Sequence, residues 1–67
     1  MKLTWDDAYD IGIELAEKHP DIDPLDLSFT KLRDLVVALD EFDDDPMASN
    51  EGKLEAIQMA WHEEAAG

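Results

Sequence analysis

The sequence predicts a small all-α domain: three amphipathic helices in a helix-turn-helix-like bundle, with at most minor strand content. Two observations predict it. Apolar residues recur at helical spacing in three separate stretches, and turns marked by Asp and Pro divide them, at residues 20–24 and 43–46. A third makes a folded core plausible on composition: 45% of the residues are hydrophobic, with two Trp, two Phe and a Tyr. At 67 residues the chain reads as one domain, 1–67, near the small end of what folds alone.

The first helix is expected over residues 5–18. Thr4 is placed to cap it, and Asp6 and Asp7 suit the positive end of its dipole. On a 3.6-residue wheel Trp5, Ala8, Tyr9, Gly12, Leu15 and Ala16 share one face, while Asp6, Asp10, Glu14 and Glu17 gather opposite. Pro20 ends the helix, because it biases His19 away from helical angles.

Residues 23–26, Asp-Pro-Leu-Asp, read as a cap followed by proline at the first helical position, enough for a single turn. Leu27, Ser28 and Phe29 are expected to be briefly extended, with Phe29 turned to the core. The second helix is expected over residues 31–41 with Thr30 as its cap. Its stripe is Leu32, Leu35, Val36, Leu39 and Phe42, which leaves Val37 on the wet side. An acidic loop follows, in which Asp45-Pro46 starts another turn. Ser49 or Asn50 caps the third helix, residues 51–65, whose buried stripe is Leu54, Ile57, Trp61 and Ala65 with Met59 outside it.

Charge narrows the partners. Eighteen acidic residues against five basic ones leave a formal net charge of −13. Such a surface repels nucleic-acid phosphates and anionic lipid, and it attracts basic protein patches and metal cations. Nucleic acid and membrane are therefore not expected as partners, and a monomer is. No apolar run approaches the roughly 20 residues of a membrane span, and the opening residues lack the apolar core of a secretory leader. A cytoplasmic location is expected. Without cysteine there is neither a disulfide nor a thiolate ligand or nucleophile.

Several blocks then occur in order: Trp5 with Asp7, residues 20–24 (Pro-Asp-Ile-Asp-Pro), Phe29-Thr30, and residues 42–46 (Phe-Asp-Asp-Asp-Pro). Ser49-Asn50-Glu51, residues 54–58 (Leu-Glu-Ala-Ile-Gln) and Trp61 complete the series. The ordered set resembles the IscX family of small acidic proteins of iron–sulfur cluster (Isc) assembly, and the resemblance spans nearly the whole chain. It implies a modified winged-helix fold, binding to the cysteine desulfurase that supplies sulfur, competition there with frataxin, and weak binding of Fe(2+) through surface carboxylates. Gly52 departs from the basic residue expected at its position.

Carboxylate oxygens suit hard divalent ions. Asp40, Glu41, Asp43, Asp44 and Asp45 place five acids within six positions, and Asp7, Asp10 and Glu14 follow one another at i, i+3 and i+7 on the first helix. These eight are the candidate metal ligands; the plain alternative is a solvated loop and the wet face of a helix. Candidate docking acids are Asp21, Asp23, Asp43, Asp44, Glu51 and Glu55. His19, at a helix end beside Pro20, reads as a capping residue, and His62 as an exposed flank. The loop lacks the spacing of an EF-hand, and no nucleophile elbow or glycine-rich phosphate loop is present. An enzyme is not expected. Two rival readings stay open: an acidic module that binds protein without metal, and an acidic mimic of nucleic acid.

Overall fold

The computed structural model describes residues 2–67. Helix α1 spans Ala8–Lys18, a single 3-10 turn covers Pro24–Asp26, α2 spans Phe29–Val37 and α3 spans Glu51–Ala66. The all-α domain is thus observed, without a sheet among the described residues. Extended pairing is limited there to one parallel bridge between Leu3 and Phe42. Its two bonds run from the Leu3 N–H to the Glu41 carbonyl, 2.7 Å, and from the Asp43 N–H to the Leu3 carbonyl, 2.8 Å.

The first helix starts three residues later than its periodicity suggests. Trp5 lies in a turn before it rather than inside it, and is 1% exposed. Thr4 is not the helix cap. Its hydroxyl accepts from the Asp6 N–H at 3.3 Å, while Asp7 takes the capping position and its Oδ2 accepts from the Thr4 N–H at 2.9 Å. The buried face of α1 is Ile11, Gly12 and Leu15, with Ala8 and Ala16 packed beside it. Tyr9, expected on that face, is 64% exposed. Moving the start of the helix removes Trp5 as the anchor of the expected stripe, and Ile11 takes the centre.

The turn at Pro24–Asp26 forms as its residues dictate: the Asp23 side chain accepts from the Leu25 N–H, and Pro24, which has no N–H to satisfy, sits first. Helix α2 begins at Phe29, two residues earlier than expected, because Ser28 and not Thr30 caps it by accepting from the Lys31 N–H at 3.2 Å. Leu32, Val36 and Leu39 are buried, although Leu39 already lies beyond the helix. Val37 was expected on the wet side but packs against the core together with Leu35 and Phe42.

Asn50 caps α3 by accepting from the Lys53 N–H at 2.9 Å. Leu54, Ile57 and Trp61 form its buried stripe, while Ala65 at the end of that stripe is exposed. Helix α3 packs chiefly on α1, and α2 and the 3-10 turn close its other side. Gln58 ties that turn down, its Nε2 donating to the Pro24 carbonyl at 2.9 Å. Both tryptophans enter one core but meet different rings. Trp5 stands edge-on to Phe42 at 4.7 Å, and Trp61 faces His19 at 6.3 Å. Each buried aromatic or branched side chain contributes about 1.5–3 kcal/mol relative to exposure. In so small a domain that makes the Trp5 anchorage a large share of the total.

Candidate functional site

Among the described residues no charged side chain is buried. The acids therefore lie at or near the surface, and among those residues two form ion pairs: Asp43 with Lys2 at 3.3 Å and Asp6 with Lys53 at 2.9 Å. The first pair is largely in water, where such contacts contribute about 0–1 kcal/mol. The other acids hold no ion pair among the described residues. This is what the acidic surface offers: a field, with few fixed internal contacts drawing it down.

The loop acids divide by what they hold. Asp40 and Glu41 stand exposed in the turn after α2. Asp44 is committed to the backbone: its Oδ2 accepts from the Trp5 N–H at 3.1 Å and its Oδ1 from the Asp45 N–H at 2.7 Å. Those two bonds, the Trp5 one foremost, favour the ionised form and hold the Asp44 carboxyl below its ordinary value. Asp45 stabilises the next turn, its Oδ1 accepting from the Met47 N–H at 2.9 Å, and its carbonyl accepts the Trp5 indole Nε1–H at 2.7 Å. The loop is thereby stitched to the N-terminal segment. Met47 stands 77% exposed at its end.

On the other candidates, Asp10 and Glu14 are half-buried along α1, whereas Asp7 precedes the helix and is bonded to Thr4. Asp21, Glu51 and Glu55 are exposed, and Asp23 serves the 3-10 turn. His19 closes α1, its N–H donating to the Leu15 carbonyl at 2.9 Å. Among the described residues, no three His, Asp or Glu side chains come together in a way that would hold a metal ion. The oxygen donors suit ferrous ion chemically, but in this arrangement they do not form a closed cage.

Two open grooves accompany this surface. One, about 350 Å³, runs between the start of α2 and the start of α3, where Thr30, Arg33, Ser49 and Asn50 meet Phe29 and Leu54. The other, about 290 Å³, is lined by Ala16, Glu17, Pro20, Glu64 and Ala65. Neither lining includes a histidine. The first groove was not anticipated from sequence. Thr30 and Arg33 are remote in the chain from Ser49 and Asn50, and no local pattern relates them.

The chain matches the model of a protein family described as iron–sulphur cluster assembly, over residues 3–66. It is also 52% identical over 64 residues to an uncharacterized protein of Pseudomonas aeruginosa, an alignment covering 96% of this chain and 97% of that relative.

Proposed function

The chain belongs to the iron–sulphur cluster assembly family, and from that premise we propose that it is an accessory protein of the assembly machinery that docks on a cysteine desulfurase and loosely holds ferrous ion. Its place in iron–sulfur cluster assembly follows from the family; the desulfurase, the ion, competition with frataxin and a cytoplasmic setting are the finer reading. The observation that carries this reading is a net charge of −13 with two acids in ion pairs among the described residues. Uncompensated charge of one sign steers a partner of the other sign and sets the rate and register of docking more than its ultimate affinity. Ferrous ion is cargo here rather than a resident cofactor. Asp40 and Glu41, whose side chains hold neither a backbone N–H nor an ion pair among the described residues, are the oxygen donors free to follow it, with Asp43 leaving its exposed pair with Lys2 to join them and Asp10 and Glu14 on α1 as a second patch.

The absence of a closed cage among the described residues favours one rival, a docking module whose acids meet protein alone. Two measurements separate the readings. Affinity for the desulfurase is measured at low and at physiological ionic strength; docking by charge requires it to fall as salt rises. Ferrous ion is then titrated under anaerobic conditions and followed by NMR. Broadening concentrated at residues 40–45 or 7–14 supports cargo binding, and equal broadening at every acid leaves the ion as a mere counterion.

A further inference from the structure

We propose that the groove between the start of α2 and the start of α3 receives an aspartate or glutamate side chain of the docking partner, with Arg33 as its anchor. The inference rests on the docking reading above and adds to it the contact that fixes orientation.

Eighteen acids crowd this small surface, yet Arg33, like Lys18 and Lys31, pairs with none of them, and of these three it alone is half-buried and lines a groove. Arg33 stands on the first half of α2, where its side chain forms part of the groove wall. Around it the groove supplies neutral hydrogen-bonding groups: the hydroxyls of Thr30 and Ser49 and the side-chain amide of Asn50. The Asn50 Oδ1 is committed to the Lys53 N–H, which leaves its NH₂ for an incoming acceptor. Phe29 and Leu54 give the same groove apolar wall against which the stem of a side chain can lie.

Glu51 also lines the groove, without forming an ion pair to Arg33. One base and one acid leave the lining of this groove near neutral on a strongly acidic molecule. A free small anion is repelled by the net charge of −13. A carboxylate carried on a predominantly basic protein is not, because the rest of that surface is attracted. A guanidinium offers a planar fork of N–H donors that matches a carboxylate in a bidentate way, and a lysine does not reproduce it.

The test turns on a sign. If docking follows net charge alone, deleting a positive charge strengthens binding or leaves it unchanged. The groove predicts the reverse at Arg33 only. Affinity for the cysteine desulfurase is measured for the full-length wild type, Arg33→Gln, Arg33→Glu and Arg33→Lys, with Lys31→Glu as a charge control on the exposed side of α2. Loss of a charge-assisted pair predicts that Arg33→Gln binds about tenfold or more weakly, Arg33→Glu more weakly still and Arg33→Lys between, while Lys31→Glu binds as well as wild type or better. Arg33→Gln and Arg33→Glu tracking Lys31→Glu overturns the proposal. Thermal unfolding confirms that each variant folds, and Arg33→Lys, which keeps the charge, remains informative where the others do not.

A wild type that ignores the desulfurase sinks the docking reading, and the groove is then decided by titrating the free protein with a lysine-rich peptide carrying one glutamate, against the same peptide with glutamine in its place. Saturable shifts at the Asn50 side-chain amide with the glutamate peptide, lost in Arg33→Gln, support a carboxylate site. Featureless shifts in both proteins overturn it.

Discussion

Gly12 of α1 lies against Ala60 of α3 so closely that a Cβ built on Gly12 would stand 2.8 Å from the Cβ of Ala60 and 2.7 Å from the Trp61 backbone nitrogen. Two helices thus meet backbone to backbone at the centre of the molecule. Their approach seals Ile11, Leu15, Ile57 and Trp61 from water. Gly12→Ala gains up to ~1 kcal/mol in helix propensity, but the clash is with backbone that cannot step aside, and overpacking costs about 1–3 kcal/mol. The expected outcome is a thermal midpoint lowered by roughly 5–15 °C.

Gly52 should behave in the opposite way. A Cβ there would meet only the Asn50 Oδ1, at 3.5 Å, which is ordinary contact. Gly52→Ala is expected to raise the midpoint by a few degrees through reduced freedom of the unfolded chain, up to ~1 kcal/mol. Paired melts of the two glycine variants check both signs at once, and a stabilised Gly12→Ala would refute the close crossing.

Asp44 gives stability a defined pH dependence. Its carboxyl is held below the ordinary value of 3.8 by the N–H groups of Trp5 and Asp45, so the folded state binds the proton less tightly than the unfolded one. Its contribution is therefore complete above the ordinary value and is lost as pH falls through the lower folded value. Acidification also relieves the repulsion among the other carboxylates, which acts in the opposite direction. The difference between wild type and Asp44→Ala isolates the term. That difference in urea midpoint should be constant near neutrality and shrink below pH 3.8; a gap that persists in acid would assign the loss to packing instead.

Screening should stabilise the fold. With two ion pairs to lose among the described residues, salt has little attraction to weaken and much repulsion to damp. Thermal midpoints are expected to rise by several degrees from low to physiological ionic strength, and further with magnesium than with sodium at equal ionic strength. A flat or falling midpoint would mean that the acids are compensated by contacts other than those two pairs.

Where the sequence was informative, the reason is local. Pro24 after Asp23, and Asn50 before an apolar stripe at Leu54, Ile57 and Trp61, each act through neighbours a few residues away, and each forms as expected. Trp5 was misplaced because its partners are Asp44, Asp45 and Phe42, about forty positions along the chain. Helical periodicity counted it into α1, but two hydrogen bonds and a ring contact hold it in a turn. Thr30 and Ser28 are both good caps by chemistry, and tertiary packing of Phe29 chose between them. The acids of the candidate site could be named from sequence, but the division of labour among them could not. Only the fold shows that Asp44 serves Trp5 while Asp40 and Glu41 remain exposed.

That division supplies a probe of the loop. The Trp5 indole Nε1–H donates to the Asp45 carbonyl at 2.7 Å, in the middle of the acidic segment. The Trp61 indole is fully buried on α3, and its Nε1 has no hydrogen-bond partner. The two indole resonances therefore report from different parts of one small core, Trp5 beside the acidic loop and Trp61 on α3. A paramagnetic divalent ion held by the carboxylates at residues 40–45 should broaden the Trp5 indole signal at low occupancy and leave that of Trp61 sharp. Asp40→Asn with Glu41→Gln removes exposed donors without touching the Trp5 bonds, and should shift that broadening to higher ion concentration. Asp44→Ala should instead move the Trp5 indole resonance before any ion is added, because it loosens the loop from the N-terminal segment. Equal broadening of both indoles, unaffected by the double variant, would place the ion elsewhere on the surface.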